Sequence, residues 1–136
     1  MADTMQVELV APERRLASIE AESVALPGTD GDFTAMAGHA ATATALRPGV
    51  VTVETGGSRT DYVIAGGFAE ITPESVSILA EFASSRDDAT REMFEPQREA
   101  RRAKVDQLET GSQRHADEER DLNELEHMLD NAIPHT

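Results

Sequence analysis

Apolar and polar residues alternate along much of the first two thirds of the chain. Between Asp61 and Phe82, Val76, Ile78, Ala80 and Phe82 fall on one side of an extended backbone, and Ser77, Leu79 and Glu81 on the other. Gly66-Gly67 interrupts the run where a bend or bulge would exclude a side chain. Thr72-Pro73-Glu74 is turn chemistry, so the stretch reads as strand, glycine kink, strand, turn, strand. Upstream, Met5, Val7 and Leu9 alternate with Gln6 and Glu8, and Leu16–Ile19 and Val24–Leu26 are shorter strand candidates. Pro27 to Asp32 is dense in turn formers. Val50-Val51-Thr52-Val53 returns through Gly56-Gly57-Ser58 into residues 60–65, a hairpin signature. Turn signals at such intervals predict eight to ten short strands in a two-sheet β-sandwich over residues 1–84.

The period changes after Ser84-Ser85. Residues 85–136 are poor in Val and Ile and rich in Glu, Arg, Asp and Gln, which predicts an antiparallel helical hairpin. Ser85 is placed to cap the first helix, with Asp87 and Asp88 in its first turn. Met93, Ala100, Ala103 and Leu108 supply a thin apolar line, and Pro96 should kink or restart the helix there. Thr110-Gly111-Ser112 breaks the two helices, with Gly111 as stop and Ser112 as the next cap. Leu122, Leu125, Leu129 and Ala132 then form a narrow stripe on an otherwise acidic helix. So few apolar side chains cannot offset the ordering of such a segment, so the hairpin must lean on something and can leave it.

The formal net charge of −14 argues against nucleic acid and against docking on anionic lipid. Cysteine is absent, which excludes disulfides and thiolate zinc sites. The first residues lack a signal-peptide core, and no apolar run reaches the roughly 20 residues of a membrane span, so a soluble chain is expected.

Catalytic chemistry finds little to work with. No nucleophile, base and orienting group are spaced as a set. His39, His115, His127 and His135 match no metal signature. Gly66-Gly67 is followed by a strand and not by Gly-Lys-Ser/Thr, which excludes a phosphate loop. The basic cluster Arg98, Arg101, Arg102 and Lys104 reads either as helical salt bridging with Glu95, Glu99 and Asp106 or as contact with an acidic partner. Two classes therefore compete. One is a non-catalytic coupling subunit held between protein partners. The other is a free-standing sandwich that binds carbohydrate or peptide and carries a helical oligomerisation tail. Tyr62 and four Phe are a poor supply of aromatics for the second.

Four blocks then point to a family: Gly38-His39-Ala40, Thr44-Ala45-Leu46-Arg47-Pro48-Gly49, Ala65-Gly66-Gly67-Phe68-Ala69-Glu70-Ile71 and Val76-Ser77-Ile78-Leu79-Ala80. In order and spacing they resemble the epsilon-subunit family of bacterial F-type ATP synthases, with an alphaproteobacterial flavour in the residues after the sandwich. The resemblance implies a non-catalytic rotor part of a peripheral complex on the cytoplasmic face of the bacterial inner membrane. It implies a sandwich that binds the gamma subunit and rests on the c-subunit ring, with Gly38, His39, Arg47, Gly66, Gly67, Phe68 and Glu70 as interface residues. It also implies a hairpin that folds on the sandwich or reaches the alpha and beta subunits, with Arg98, Arg101 and Arg102 as its regulatory residues.

Three departures from the family pattern carry expectations. Ala41 stands where the family usually has proline after Gly-His-Ala, which should loosen that loop. Some members bind ATP as a regulatory ligand through Ile/Leu-Asp-x-x-Arg-Ala. The nearest match here is Asp88-Ala89-Thr90-Arg91, flanked by Asp87 and Glu92, so Asp88 and Arg91 would be the contacts. The last helix carries seven acids against Arg114 and Arg120, so its repulsion from an acidic beta-subunit surface predicts a weak brake on ATP hydrolysis.

Overall fold

A computed structural model describes residues 3–133. Met1, Ala2 and residues 134–136, among them His135, lie outside the described residues. Eight strands precede two helices: β1 (Met5–Ala11), β2 (Arg14–Ala21), β3 (Ser23–Gly28), β4 (Gly31–Met36), β5 (Thr42–Thr55), β6 (Ser58–Ile71), β7 (Ser75–Ala80), β8 (Ala83–Ser85), α1 (Arg91–Gln107) and α2 (Gln113–Ala132). Eight strands is the lower end of the expected range because β5 and β6 are each one strand of 14 residues, where turn signals suggested more breaks.

Hydrogen bonding runs β2-β1-β7-β6-β5-β3-β4, and β8 pairs with β6 beside this path. All pairs are antiparallel except β1 with β7. Two-residue turns close β3–β4 at Thr29-Asp30 and β5–β6 at Gly56-Gly57. Gly56 and Gly57 have φ of 53° and 86°, the left-handed geometry that such hairpin turns require.

The kink at Gly66-Gly67 decides which side chains face inward. Before it, Tyr62 and Ile64 enter the main core; after it, Ala69 and Ile71 do. The β5–β6 register is unbroken across it, so both strands change parity together, β5 from Leu46 to Val51 and Val53, and the kink is a bend shared by the pair. Both glycines have positive φ, 104° and 156°. A Cβ at Gly67 would overlap the Leu79 carbonyl oxygen and come within 2.9 Å of the Ala80 Cα. The bend lets the two long strands serve both layers around Met5, Val7, Leu9, Val24, Leu26, Val51 and Ile78.

The helices cover one half of the outer face of β5 and β6. Val63 and Ala65 point outward there and are fully buried beneath Phe94, Leu125, Met128, Leu129 and Ala132. The stripe read on α2 is the buried face, with Met128 added to it. Three expectations for α1 are corrected. Its cap is Thr90, whose side chain accepts from the Met93 N–H; Ser85 instead ends β8 opposite Tyr62. Helix geometry passes through Glu95 and Pro96 without a break, and Phe94, two residues before the proline, is fully buried in the second core. Met93, Ala100 and Ala103 are exposed, and the inward seam is Phe94, Arg98, Arg101, Val105. That spacing is helical, but two of its four positions are arginines, which a search for apolar residues passes over. The break between the helices holds in part: Ser112 caps α2 by accepting from the His115 N–H, as read, but α1 already ends at Gln107 with Leu108 as its cap, so Gly111, at φ 91°, turns the connecting loop and does not stop the helix.

Candidate functional site

The other half of the outer face is open. Backbone register places Val10 beside Leu79, Leu79 beside Phe68, and Phe68 beside Ala45, a row across β1, β7, β6 and β5. Phe68 is 46% exposed and Leu79 57%, and both belong to elements whose other faces are fully buried. Glu70, flanked by Ala43 and Ser77, lies on the same outward side one step along. Neighbouring exposed apolar side chains on a stiff sheet are the signature of a surface meant to be covered.

The predicted interface residues do not form one cluster. Phe68 and Glu70 face outward beside the row. Gly38 and His39 sit in the loop after β4, at the β6–β7 turn end, where the Gly38 N–H donates to the Pro73 carbonyl at 2.9 Å. The His39 Nδ1 lies 2.7 Å from the Ala40 carbonyl oxygen and its ring centroid 6.5 Å from that of Phe33. Arg47 is turned to its own sheet: it pairs with Asp32, and its Nε donates to the Gly28 carbonyl at 3.0 Å. Gly66 is buried under the hairpin, with the place of a Cβ only 3.1 Å from an Arg101 nitrogen. Leu79, Val10 and Ala45 were missed as site residues. The signal for Leu79 was legible, since it is the large apolar residue on the polar side of the β7 alternation.

The hairpin arginines are engaged within the chain. Arg101 donates to the Ala65 carbonyl and pairs with Glu81 at 2.7 Å. Arg98 and Arg102 both reach Glu126 on α2, at 3.4 and 3.1 Å, and Arg98 also pairs with Glu95 at 2.8 Å. Of the helical pairs read for this cluster only Arg98 with Glu95 forms; the other bridges run to Glu126 and Glu81, and among the described residues Lys104, Glu99 and Asp106 make none. Arg86 ties the end of α2 to the sandwich: its Nε donates to the Ala132 carbonyl at 2.9 Å and its Nη1 meets Asp61 at 3.0 Å. Burial pushes the Asp61 carboxyl up, but hydrogen bonds from Thr52, Arg86 and Arg59 outweigh it and hold it below the ordinary value.

The two residues of the nucleotide motif are turned to contacts within the chain. Arg91 is committed to Asp130 at 2.8 Å and Asp88 to the Ser85 hydroxyl at 3.0 Å, so the two point to different partners. Among the described residues, no group of three or more His, Asp or Glu could hold a metal ion, and no helix is long and apolar enough to cross a membrane.

Residues 4–86 match the family described as ATP synthase, Delta/Epsilon chain, beta-sandwich domain. Among curated relatives, the chain is similar to the ATP synthase epsilon chain of Paracoccus denitrificans, 56% identical over 69% of this chain and 64% of that one. The match to its Ruegeria counterpart spans 66% of the relative's length, at 54% identity. The epsilon chain of Allorhizobium ampelinum is 41% identical over 98% of this chain and 99% of its own. The fold also superimposes on a chain of the Euglena gracilis mitochondrial ATP synthase structure containing OSCP, F1 and c-ring. That match has a TM-score of 0.64 and 25% identity over 90% of this chain and 78% of the other. A chain of the Tetrahymena thermophila central stalk and c-ring structure shares the fold at TM-score 0.68 and 14% identity, over 97% and 98% of the two chains.

Proposed function

This chain belongs to the ATP synthase epsilon-chain family, and on that premise we propose that it is a non-catalytic subunit of the central stalk that couples proton-driven rotation to ATP synthesis. Its partners are then the gamma subunit and the c-subunit ring. The hairpin offers a further contact to the alpha and beta subunits, and the complex sits on the cytoplasmic face of the bacterial inner membrane. The observation that carries the proposal beyond family membership is the open row on the outer face, where Phe68 and Leu79 are about half exposed on a rigid two-layer body. A coupling part must be gripped without deforming, and a kinked sheet with an apolar row supplies both the stiffness and the grip. Gly38 and His39, at the β6–β7 turn end, provide a second contact region.

Co-purification from native membranes tests the role. The subunit should travel with gamma at one to one. Phe68→Ser and Leu79→Ser should each weaken gamma binding about tenfold, the equivalent of roughly 1.4 kcal/mol of lost burial. A chain that stays free of every motor component, or double variants that bind as well as the parent, would overturn it. The carbohydrate-binding alternative is poorly supported: Tyr62 and Phe94 are buried, and Phe68 is the single largely exposed aromatic among the described residues.

The hairpin's regulatory action is proposed to be weak. Five of the seven acids of α2 fall within residues 117–124, so approach to an acidic surface is repulsive. Purified subunit added to its own hydrolysing complex should inhibit little. Strong inhibition that disappears on truncation after Ser85 would contradict this.

A further inference from the structure

The apolar row on the open outer face does not end at Val10. Register across β1 and β2 carries it one strand further, to Arg15 at the edge of the sheet. A bulge sets that neighbour. The register shifts between Leu9 and Val10, so Leu9 faces Ala17 and Val10 faces Arg15, where an unbroken ladder would bring Leu16. Leu16 instead packs, partly buried, against the main core. The bases of the sandwich are Arg14, Arg15, Arg47 and Arg59. Arg47 pairs with Asp32 and Arg59 with Asp61, whereas Arg14 and Arg15 are exposed and enter no ion pair among the described residues. One step along the strands, a parallel row reads Ser18, Glu8, Ser77, Glu70, Ala43, and its two carboxylates are likewise unpaired among the described residues. Between Val10 and Leu79 a hollow of about 270 Å³ opens, lined by these two with Ala11, Pro12 and Ala80. On a chain of net charge −14, an unpaired base beside an apolar hollow is a local reversal of sign. Charge of the common sign only draws a partner in; the reversed charge distinguishes the two ways round in which it can sit.

From this arrangement we propose that the row is an oriented recognition site for an amphipathic segment of the gamma subunit. One large apolar side chain of gamma enters the hollow, a carboxylate of gamma meets Arg15 beside it, and a basic group of gamma lies over Glu8 and Glu70. Apolar burial supplies most of the grip. The charges around it fix the direction of the segment and reject surfaces with the opposite order. The inference rests on the row being the gamma surface, and the experiment separates the two claims.

The test measures binding of purified gamma subunit to the full-length chain at near-physiological salt. Arg15→Ala should weaken it about threefold, as for a partly exposed ion pair, and Arg15→Glu about tenfold, since the facing carboxylate is then repelled. Arg14→Glu changes the net charge identically, but Arg14 is registered with the buried Ala11 and not with the row, so affinity should change less than about twofold. Glu70→Lys should weaken binding about fivefold. Reversal of one acid of gamma to lysine should restore binding to the Arg15→Glu variant while weakening it to the unaltered chain. An arginine that served only the fold could not be rescued from the partner's side. Equal losses in Arg15→Glu and Arg14→Glu, or the absence of any rescuing acid on gamma, overturn the proposal while Phe68→Ser still weakens binding. If Phe68→Ser has no effect either, it is the reading of the row that has failed.

Discussion

Two carboxylates respond to the fold in opposite directions. Asp61 is held below its ordinary value, because the bonds from Thr52, Arg86 and Arg59 outweigh burial. Its stabilising contribution is therefore present above the unfolded value of about 3.9 and is lost as pH falls through the lower folded value. Asp121 is pushed up, first by desolvation and then by Glu118, against the opposing pull of Arg101 and Arg120. The folded state then binds more protons than the unfolded one, so its cost appears as pH rises through the raised value. Asp61→Asn should lower stability to denaturant at pH 7, and Asp121→Asn should raise it; both differences should be smaller near about pH 3 than at pH 7. Equal effects at both pH values would contradict the assignment. Glu13 is a different kind of liability. It has φ 70° in the two-residue turn between Ala11 and Arg14, a geometry that costs a residue with a Cβ roughly 1–2 kcal/mol. Part of that is recovered by Glu13→Gly, which should stabilise by about 0.5–1 kcal/mol in denaturant melts.

At the scale of elements, α1 carries the sharpest lesson. Pro96 lies at its sixth position and offers no N–H to the Glu92 carbonyl, yet the helix continues. Pro96→Ala should therefore tighten α1, by up to about 3 kcal/mol, read as slower amide exchange from Met93 to Arg102. Faster exchange there would mean that the proline ring is itself a packing element. The β-sandwich was legible because Val76, Ile78 and Ala80 alternate with polar neighbours and because Gly56-Gly57 admits essentially one turn family. The α2 stripe was legible by the same logic at helical period. The seam of α1 was not, because Arg98 and Arg101 take the places of apolar residues and are recognisable only once Glu126 and Glu81 are brought opposite them. Strand β8 is three residues long and shows no alternation, so its pairing to Tyr62, Val63 and Ile64 could not be read in advance. The site divides likewise. Phe68 and Glu70, named through their motif, stand exposed on the open face, whereas Arg47 pairs with Asp32 and Gly66 lies buried beneath Arg101.

For the molecule as a whole, the main core and the second core differ in what they hold. The main core joins strands to strands and contains no helix residue. The second joins helices to the outside of β5 and β6, and Phe94 is its largest fully buried side chain, in edge-to-face contact with Phe82 at 4.9 Å between ring centroids. The remaining links across that boundary are polar, chiefly Arg86 with Asp61 and Ala132, and Arg101 with Glu81 and Ala65. Such a division makes the hairpin separable, since removing it exposes Val63 and Ala65 but leaves the strand core closed. Phe94→Ala should cost about 3–5 kcal/mol if the hairpin stays docked over the resulting cavity. Release of the hairpin avoids that cost, so the variant should lose amide protection in α1 and α2, and become sensitive to protease between Leu108 and Ser112, while its strand amides keep theirs. A single cooperative loss of helices and strands together would show that the hairpin is part of one indivisible fold.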